Sequence, residues 1–377
     1  MQAYEIKQTL KGISMSKNKL AKYFPMLKTR EEIQNEINEN PKLSAIFESW
    51  RKDQQDYFLD ICTGVKGCKL LYDTYFKEIM NPETTPERLS RLLSIILKRK
   101  VKVIKVLAND NSRLGEELSL VITDIVVELE DGSIANVEVQ KLGYAFTGQR
   151  GSCYSADLLL RQYKRVRDEK KEHFSYKDIC PVYTIIFMEN SPANFYEYMD
   201  NYIHTFTSHS DTGIELNLLQ NIIYIPVDIF LQKLHNKKRI DGEFEAWLTF
   251  LGCDEPEYII ELIQEYPYFK PLYDDLYRMC LNVERIISMF SEELQILDRN
   301  TVKYMIDELQ EKLDAANEML SERDAALADK DAVLADKEAA LADKEAALAD
   351  KDATLADKDA LIAKLLEENE RLKKEKR

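Results

Sequence analysis

The rhythm of apolar and polar residues divides this chain into four stretches, each predicting a different kind of structure. In the charged residues 1–55, Phe24, Leu27, Ile33, Ile37, Leu43 and Phe47 recur at the loose spacing of short amphipathic helices, which predicts an N-terminal helical cap. Residues 56–231 read as an α/β core. Within it, residues 118–129 (LSLVITDIVVEL) are too β-branched for a comfortable helix and predict a buried strand. Asp131-Gly132 suits the positive φ of a tight turn, and SIANVEVQ resumes as a second strand, so the two should pair as an antiparallel hairpin. Residues 232–300 are helical in pattern, with breaks at Gly252 to Pro256 and at Pro267 to Pro271.

Residues 301–377 carry a strict seven-residue repeat. Ile306, Leu313, Leu320, Leu327, Leu334, Leu341, Leu348, Leu355 and Ile362 share heptad position a, and Asn369 continues it. Position d reads Leu309, Ala316, Arg323, Lys330, Lys337, Lys344, Lys351, Lys358, Leu365 and Leu372, so the middle of the seam alternates Leu with Lys. The Ala, Leu, Lys and Glu of this stretch favour helix strongly. One Leu per heptad gives about half the usual apolar seam. Each seam Lys would lay its methylenes along it and turn its ammonium to the acid at position e, as Lys330 to Asp331 or Lys337 to Glu338. An Asn at position a favours a two-stranded register. A coiled coil joining a parallel homodimer is expected; a single solvated spacer helix is the other reading.

The hairpin carries the candidate chemistry. Side chains alternate along a strand, so Glu138 and Gln140 share one face while Val139 and Lys141 take the other. Asp124 sits among Ile122, Ile125, Val126 and Val127, where a carboxylate is costly to bury without a counter-charge or a metal. A divalent cation between Asp124 and Glu138 is the natural partner, and such hard oxygen ligands suit Mg²⁺ or Mn²⁺. Without those apolar neighbours, the same two acids would read as the wet face of a sheet.

Composition narrows the picture. A chain of 377 residues exceeds one ordinary domain and should have a folded body with an extension. The start, MQAYEIKQTL, lacks a charged-then-apolar signal, and no apolar run is long enough for a membrane span, so a cytosolic protein is expected. The six cysteines form no C-x-x-C pair, and His173, His204, His209 and His235 are scattered, which favours free thiols over zinc or disulfides. A net charge of −15 argues against indiscriminate nucleic-acid binding. Yet Arg91, Lys98, Arg99, Lys100, Lys102 and Lys105 have no acid among them, and RQYKRVRDEKK from Arg161 is a second basic group. Both flank the hairpin, and either could hold phosphates or form a solvated helix face. Trp247, Phe250, Tyr266, Tyr268, Phe269, Tyr273 and Tyr277 read as core more readily than as a base-stacking platform.

A strand Asp, a hairpin and then Glu-x-Lys is the signature of the PD-(D/E)xK nuclease superfamily. The variant Glu138-Val139-Gln140 resembles its transposase-like branch, the recombination-promoting nucleases. Other pieces follow in order. Asp73-Thr-Tyr-Phe76-Lys77 resembles that branch's D-x-x-F-K helix, and Arg88 to Leu97 resembles the helix after it. Arg150, Tyr154, Gln162 and Tyr163 fall where the family carries an Arg, a Tyr and a Gln on the helix behind the second strand. Pro181 to Phe187 resembles its last core strand, and the likeness covers about residues 56–231.

The resemblance implies a restriction-endonuclease-like α/β core, a mixed sheet flanked by helices, here with a helical extension and a long C-terminal coiled-coil helix. It implies that Asp124, Glu138 and the Val139 carbonyl hold one or two Mg²⁺ ions, which lower the pKa of a bound water and stabilise charge on the phosphate. Gln140, where a Lys is usual, can orient the water but brings no charge. Lys164, Arg161 and Arg165 are the nearest cations by order, and Arg150 and Gln162 would support the site or touch DNA. Asp73, or Glu78 one turn on, would add a further acid or be merely an exposed helical one. The implied protein is a bacterial endonuclease of double-stranded DNA, each subunit of a homodimer cutting one strand. The alternative is a catalytically weak scaffold that binds DNA or a protein partner and assembles through its coiled coil.

Overall fold

The computed structural model describes residues 18–107, 125–141 and 148–375. They form two compact units, one running to Val302 and the other from Lys303 onward. The first is built on a mixed six-stranded sheet of β1 (Val103–Val106), β2 (Ile125–Leu129), β3 (Ile134–Gln140), β4 (Val182–Met188), β5 (His204–Phe206) and β6 (Gln220–Pro226). The strand order is β1-β2-β3-β4-β6-β5. The first three strands are antiparallel, β3, β4 and β6 run parallel, and β5 closes the far edge antiparallel to β6.

The expected hairpin forms over its described part, with Ile125 opposite Val137 and Glu128 opposite Ile134. Leu118 to Asp124 lie outside the described residues. Its turn is fixed by local chemistry: Gly132 N–H donates to the Leu129 carbonyl (2.9 Å), and Ser133 N–H to Asp131 Oδ1 (3.0 Å). Gly132 stands at φ +82°, and a Cβ there would lie 3.1 Å from Cys180 Sγ. Gly132→Ala should therefore lower stability by about 1–2 kcal/mol, read from the urea midpoint.

The sheet extends past the strand that resembles the family's last one. The run Ile222, Ile223, Tyr224 and Ile225 adds β6 beside β4, in parallel register. A parallel strand is buried on both faces and so reads as a continuous apolar run without alternation.

Helices cover both faces. On one, Ala135, Val137, Val139, Ile185, Phe187, Ile223 and Ile225 join the main core, which also takes α4 (Asp73–Ile79) and α5 (Pro86–Ile96) through Tyr75, Phe76, Leu89 and Leu92. On the other, α6 (Gly148–Lys170) packs Leu158 with Val126, Ile134 and Val182, and Tyr154 with Ile186 and Met188.

The N-terminal helices α1 (Arg30–Glu39), α2 (Pro41–Ser49) and α3 (Lys52–Thr63) bury Ile33, Ile37, Leu43 and Phe47 in the same core. There they meet α7 (Val227–Lys237), α8 (Gly242–Gly252), α9 (Pro256–Glu265), α10 (Phe269–Met279) and the start of α11 (Val283–Glu375). Phe24 lies 4.6 Å from Tyr277, and Trp50 5.0 Å from Phe290, between ring centroids. Trp247, Phe250, Phe269, Tyr273 and Tyr277 are core residues. Pro271 does not break the chain but sits in the first turn of α10, where its missing N–H would be unpaired in any case. All six cysteines are free.

Candidate functional site

β3 is apolar except for one row. Asn136, Glu138 and Gln140 stand two residues apart and so share a face. Glu138 is almost wholly buried, at 1% exposure. Asn136 Nδ2 donates to Glu138 Oε1 at 2.8 Å, and Gln140 Nε2 donates to Oε2 at a longer 3.4 Å. Val139, on the opposite face, packs into the main core. The described β2–β3 ladder ends at Ile125 and Val137, the residues next to Asp124 and Glu138 in sequence. Asp124 itself lies outside the described residues. Asp73 opens α4, and its side chain also lies outside those described. Glu78 is taken up by Arg285 at 2.6 Å.

Helix α6 runs antiparallel to β3, so its residues map onto levels of the strand. Gln162 is buried and donates from Nε2 to the Gly132 carbonyl at 2.8 Å, tying the helix to the hairpin turn. Tyr154 packs with Met188, the register partner of Gln140, at the other end of the strand. Arg150, one turn earlier, donates from Nη2 to Tyr154 Oη at 2.8 Å, which makes it the α6 cation nearest the Gln140 end. Arg161 is held by Asp157 at 2.7 Å, and Arg165 by Glu128. Lys164 is exposed on the same stretch. These three cluster near the turn level, roughly 20 Å along the strand from Gln140. Sequence order made them candidates to supply the charge that Gln140 lacks; helix direction points to Arg150 instead.

The model of the PD-(D/E)XK nuclease family transposase matches residues 70–308, more than half of the chain. The chain belongs to this nuclease family. The match begins just before α4 and extends into α11, so it takes in the hairpin, α6 and the aromatic-rich helices, and it assigns a nuclease-like function. No curated protein and no solved structure matches the chain.

Two further polar residues lie on this side of the sheet without a motif to mark them. Asn136 and Thr184 face each other across β3 and β4, both buried. Asn136 Oδ1 and Thr184 Oγ1 have no hydrogen-bond partner among the described residues. The alternation Asn136-x-Glu138-x-Gln140 in a buried strand was the available signal. Among the described residues no three His, Cys, Asp or Glu side chains are grouped to hold a metal.

The basic residues divide by their partners. Arg91 pairs with Glu243 and stacks on the Tyr268 ring at 3.9 Å, and Arg99 pairs with Asp131 at 2.8 Å. Lys98, Lys100, Lys102 and Lys105 are exposed around β1, at the edge of the sheet, and make no ion pair among the described residues. Lysines at a sheet edge also discourage pairing with another chain. On the face away from Glu138, Lys141 Nζ lies 3.6 Å from the centroid of the Tyr72 ring. Burial pushes its pKa below the ordinary lysine value, and the nearby Glu189 and Glu293 carboxylates only partly offset this. Among the described residues no helix of this nuclease-family chain is long and apolar enough to cross a membrane.

Proposed function

We propose that this chain is an endonuclease of double-stranded DNA that uses Mg²⁺ or Mn²⁺, with Asp124, Glu138 and the Val139 carbonyl as the metal ligands and Asp73 as a further acid. The observation that carries the reading is Glu138, a carboxylate buried on a family strand and held there by the amides of Asn136 and Gln140. The reading requires the β2–β3 ladder to run one residue further, setting Asp124 across from Glu138. Two carboxylates and a carbonyl are hard donors and fit these cations better than softer ones.

When bound, the cation would activate a water for attack on the phosphodiester and neutralise charge on the phosphate. Asn136 holds one oxygen of Glu138, fixing the carboxylate's orientation. Gln140 donates weakly to the other oxygen, so its amide can turn to hold the attacking water as well. Arg150 supplies the positive charge that Gln140 does not, and Gln162 keeps α6 locked to the hairpin so that Arg150 stays at that level. Lys98, Lys100, Lys102 and Lys105 hold backbone phosphates. Paired through α11, two such chains would each cut one strand.

Nicking of supercoiled plasmid in the presence of Mg²⁺ tests the reading, with wild type against Asp124→Ala and Glu138→Ala. Loss in both variants is expected, and equal activity in all three would overturn it. Arg150→Ala should reduce kcat/KM in the same assay by about 10- to 100-fold, because one preorganised charge near the reacting phosphate is lost. Arg150→Lys should recover part of that loss, whereas a merely structural Tyr154 contact would not restore turnover without restoring stability.

A further inference from the structure

The repeated part of α11 carries charges that cannot pair within one helix. Each heptad unit places an acid at c, a lysine at d and a second acid at e, three consecutive residues that point in different directions. Helix neighbours lie three or four residues apart. Around Lys330, Lys337, Lys344, Lys351 and Lys358 those neighbours are Leu, Ile, Val, Ala or Thr. None of these five lysines makes an ion pair among the described residues. The seam is equally unsatisfied, since Leu327, Leu334, Leu341, Leu348 and Leu355 remain 55–64% exposed. A solitary helix of this sequence has neither internal ion pairs nor apolar cover.

We infer that the partner of this stretch is a second copy of the same chain, parallel and in register, locked by intermolecular pairs between each d lysine and the partner's e acid. The inference deepens the dimer proposed above and rests on it. In a parallel pair, a meets a′ and d meets d′, with e′ flanking each d layer. Leucine then packs on leucine, while Lys330, Lys337, Lys344, Lys351 and Lys358 meet their own copies at d′ and turn their ammonium groups outward to the flanking Asp331, Glu338, Glu345, Asp352 and Asp359 of the other copy, which offsets the lysine–lysine repulsion. An antiparallel pair would set e against e′, acid against acid, and leucine against lysine. Because the repeat is nearly uniform, a slip of seven residues would preserve the ladder itself. Asn369 opposes that slip, which would bury its amide against Ile362 instead of against the partner's Asn369.

The test uses the full-length chain in sedimentation equilibrium, with helicity followed by circular dichroism. One variant changes the five d lysines to Glu, and a second changes the five e acids to Lys. Wild type should be a dimer at micromolar concentration. Each variant alone should raise the dimer dissociation constant at least about a hundredfold, since ten attractive contacts become repulsive. An equimolar mixture of the two should restore a dimer, because every d–e′ contact is again between opposite charges. Asn369→Cys should cross-link residue 369 to residue 369 on oxidation, as mapped by mass spectrometry. A monomeric wild type, variants that dimerise as tightly as wild type, a mixture that fails to associate, or absence of that cross-link would each overturn the inference. Plasmid nicking plays no part in these readouts, so failure here leaves the nuclease reading standing, and failure of that reading leaves this one.

Discussion

Glu138→Gln should reduce Mg²⁺-supported nicking by at least about a thousandfold, roughly 4 kcal/mol of transition-state stabilisation, while leaving stability unchanged or slightly raised. The two halves of that expectation have separate causes. Activity falls because a neutral amide is a poor ligand for a hard divalent cation and the site loses one of its negative charges. Stability holds because the substitution preserves shape and hydrogen bonding. The new amide oxygen still accepts from Asn136 Nδ2, and Gln140, whose own amide can rotate, can present its oxygen to the new NH₂. A carboxylate at 1% exposure is also expensive to keep charged, so replacing it removes a desolvation cost. Glu138→Ala is less clean, since it strands the Asn136 amide at a cost of about 1–3 kcal/mol. Nicking rates over a Mg²⁺ titration, with urea unfolding of the same samples, separate the effects. If activity survives in Glu138→Gln, or if it falls only in step with a loss of stability, Glu138 is a structural residue and the enzyme reading fails.

Legibility in the sequence followed how local the determining physics was. Asp131-Gly132 and the period-two pattern after it specify the hairpin within a dozen residues, and the register of β2 and β3 is the one that pattern demands. The polar row of β3 was half seen: Glu138 and Gln140 were singled out by their motif, whereas Asn136 was not, because an Asn in a strand has no local signature of being buried. Helix α6 shows the next limit. Its existence and its residues were legible, but the level at which each stands beside β3 depends on the direction of packing, which is set by Gln162 reaching the Gly132 carbonyl thirty residues away. That is why Arg161, Lys164 and Arg165 looked nearest the site while Arg150 stands closer to its level. Strand β6 was missed for a related reason. A strand buried on both faces has no alternation, and only the adjacent β4 makes Ile222 to Ile225 a strand rather than a short helical run. The α11 heptads were unmistakable, because a seven-residue repeat is local and is written in the residue types themselves.

Trp247→Ala should destabilise the first unit by about 3–5 kcal/mol, the largest loss expected from any single core truncation here. Trp247 has no exposed surface, and its ring meets those of Phe250, Tyr268 and Phe269, the last at 5.0 Å. Through Phe250 the stack continues to Tyr273, and through Tyr273 to Phe24, so one indole supports contact between the N-terminal residues and the helices that follow the sheet. A cavity at its position could not be filled by one neighbour without displacing this series. The apparent melting temperature should fall by roughly 10 °C. Trp247→Phe should cost much less, because it keeps an aromatic ring and also removes the indole N–H, which is buried without an acceptor among the described residues. The contrast between the two variants is the informative quantity. A drop of less than about 1 kcal/mol for Trp247→Ala would mean that the aromatic helices do not pack as one core with the sheet. A large drop for Ala with a small one for Phe would assign the loss to volume and ring contacts. Since Tyr268 touches both Trp247 and the guanidinium of Arg91, the Ala variant should also release that arginine from its stacked position on the basic flank of the nuclease fold.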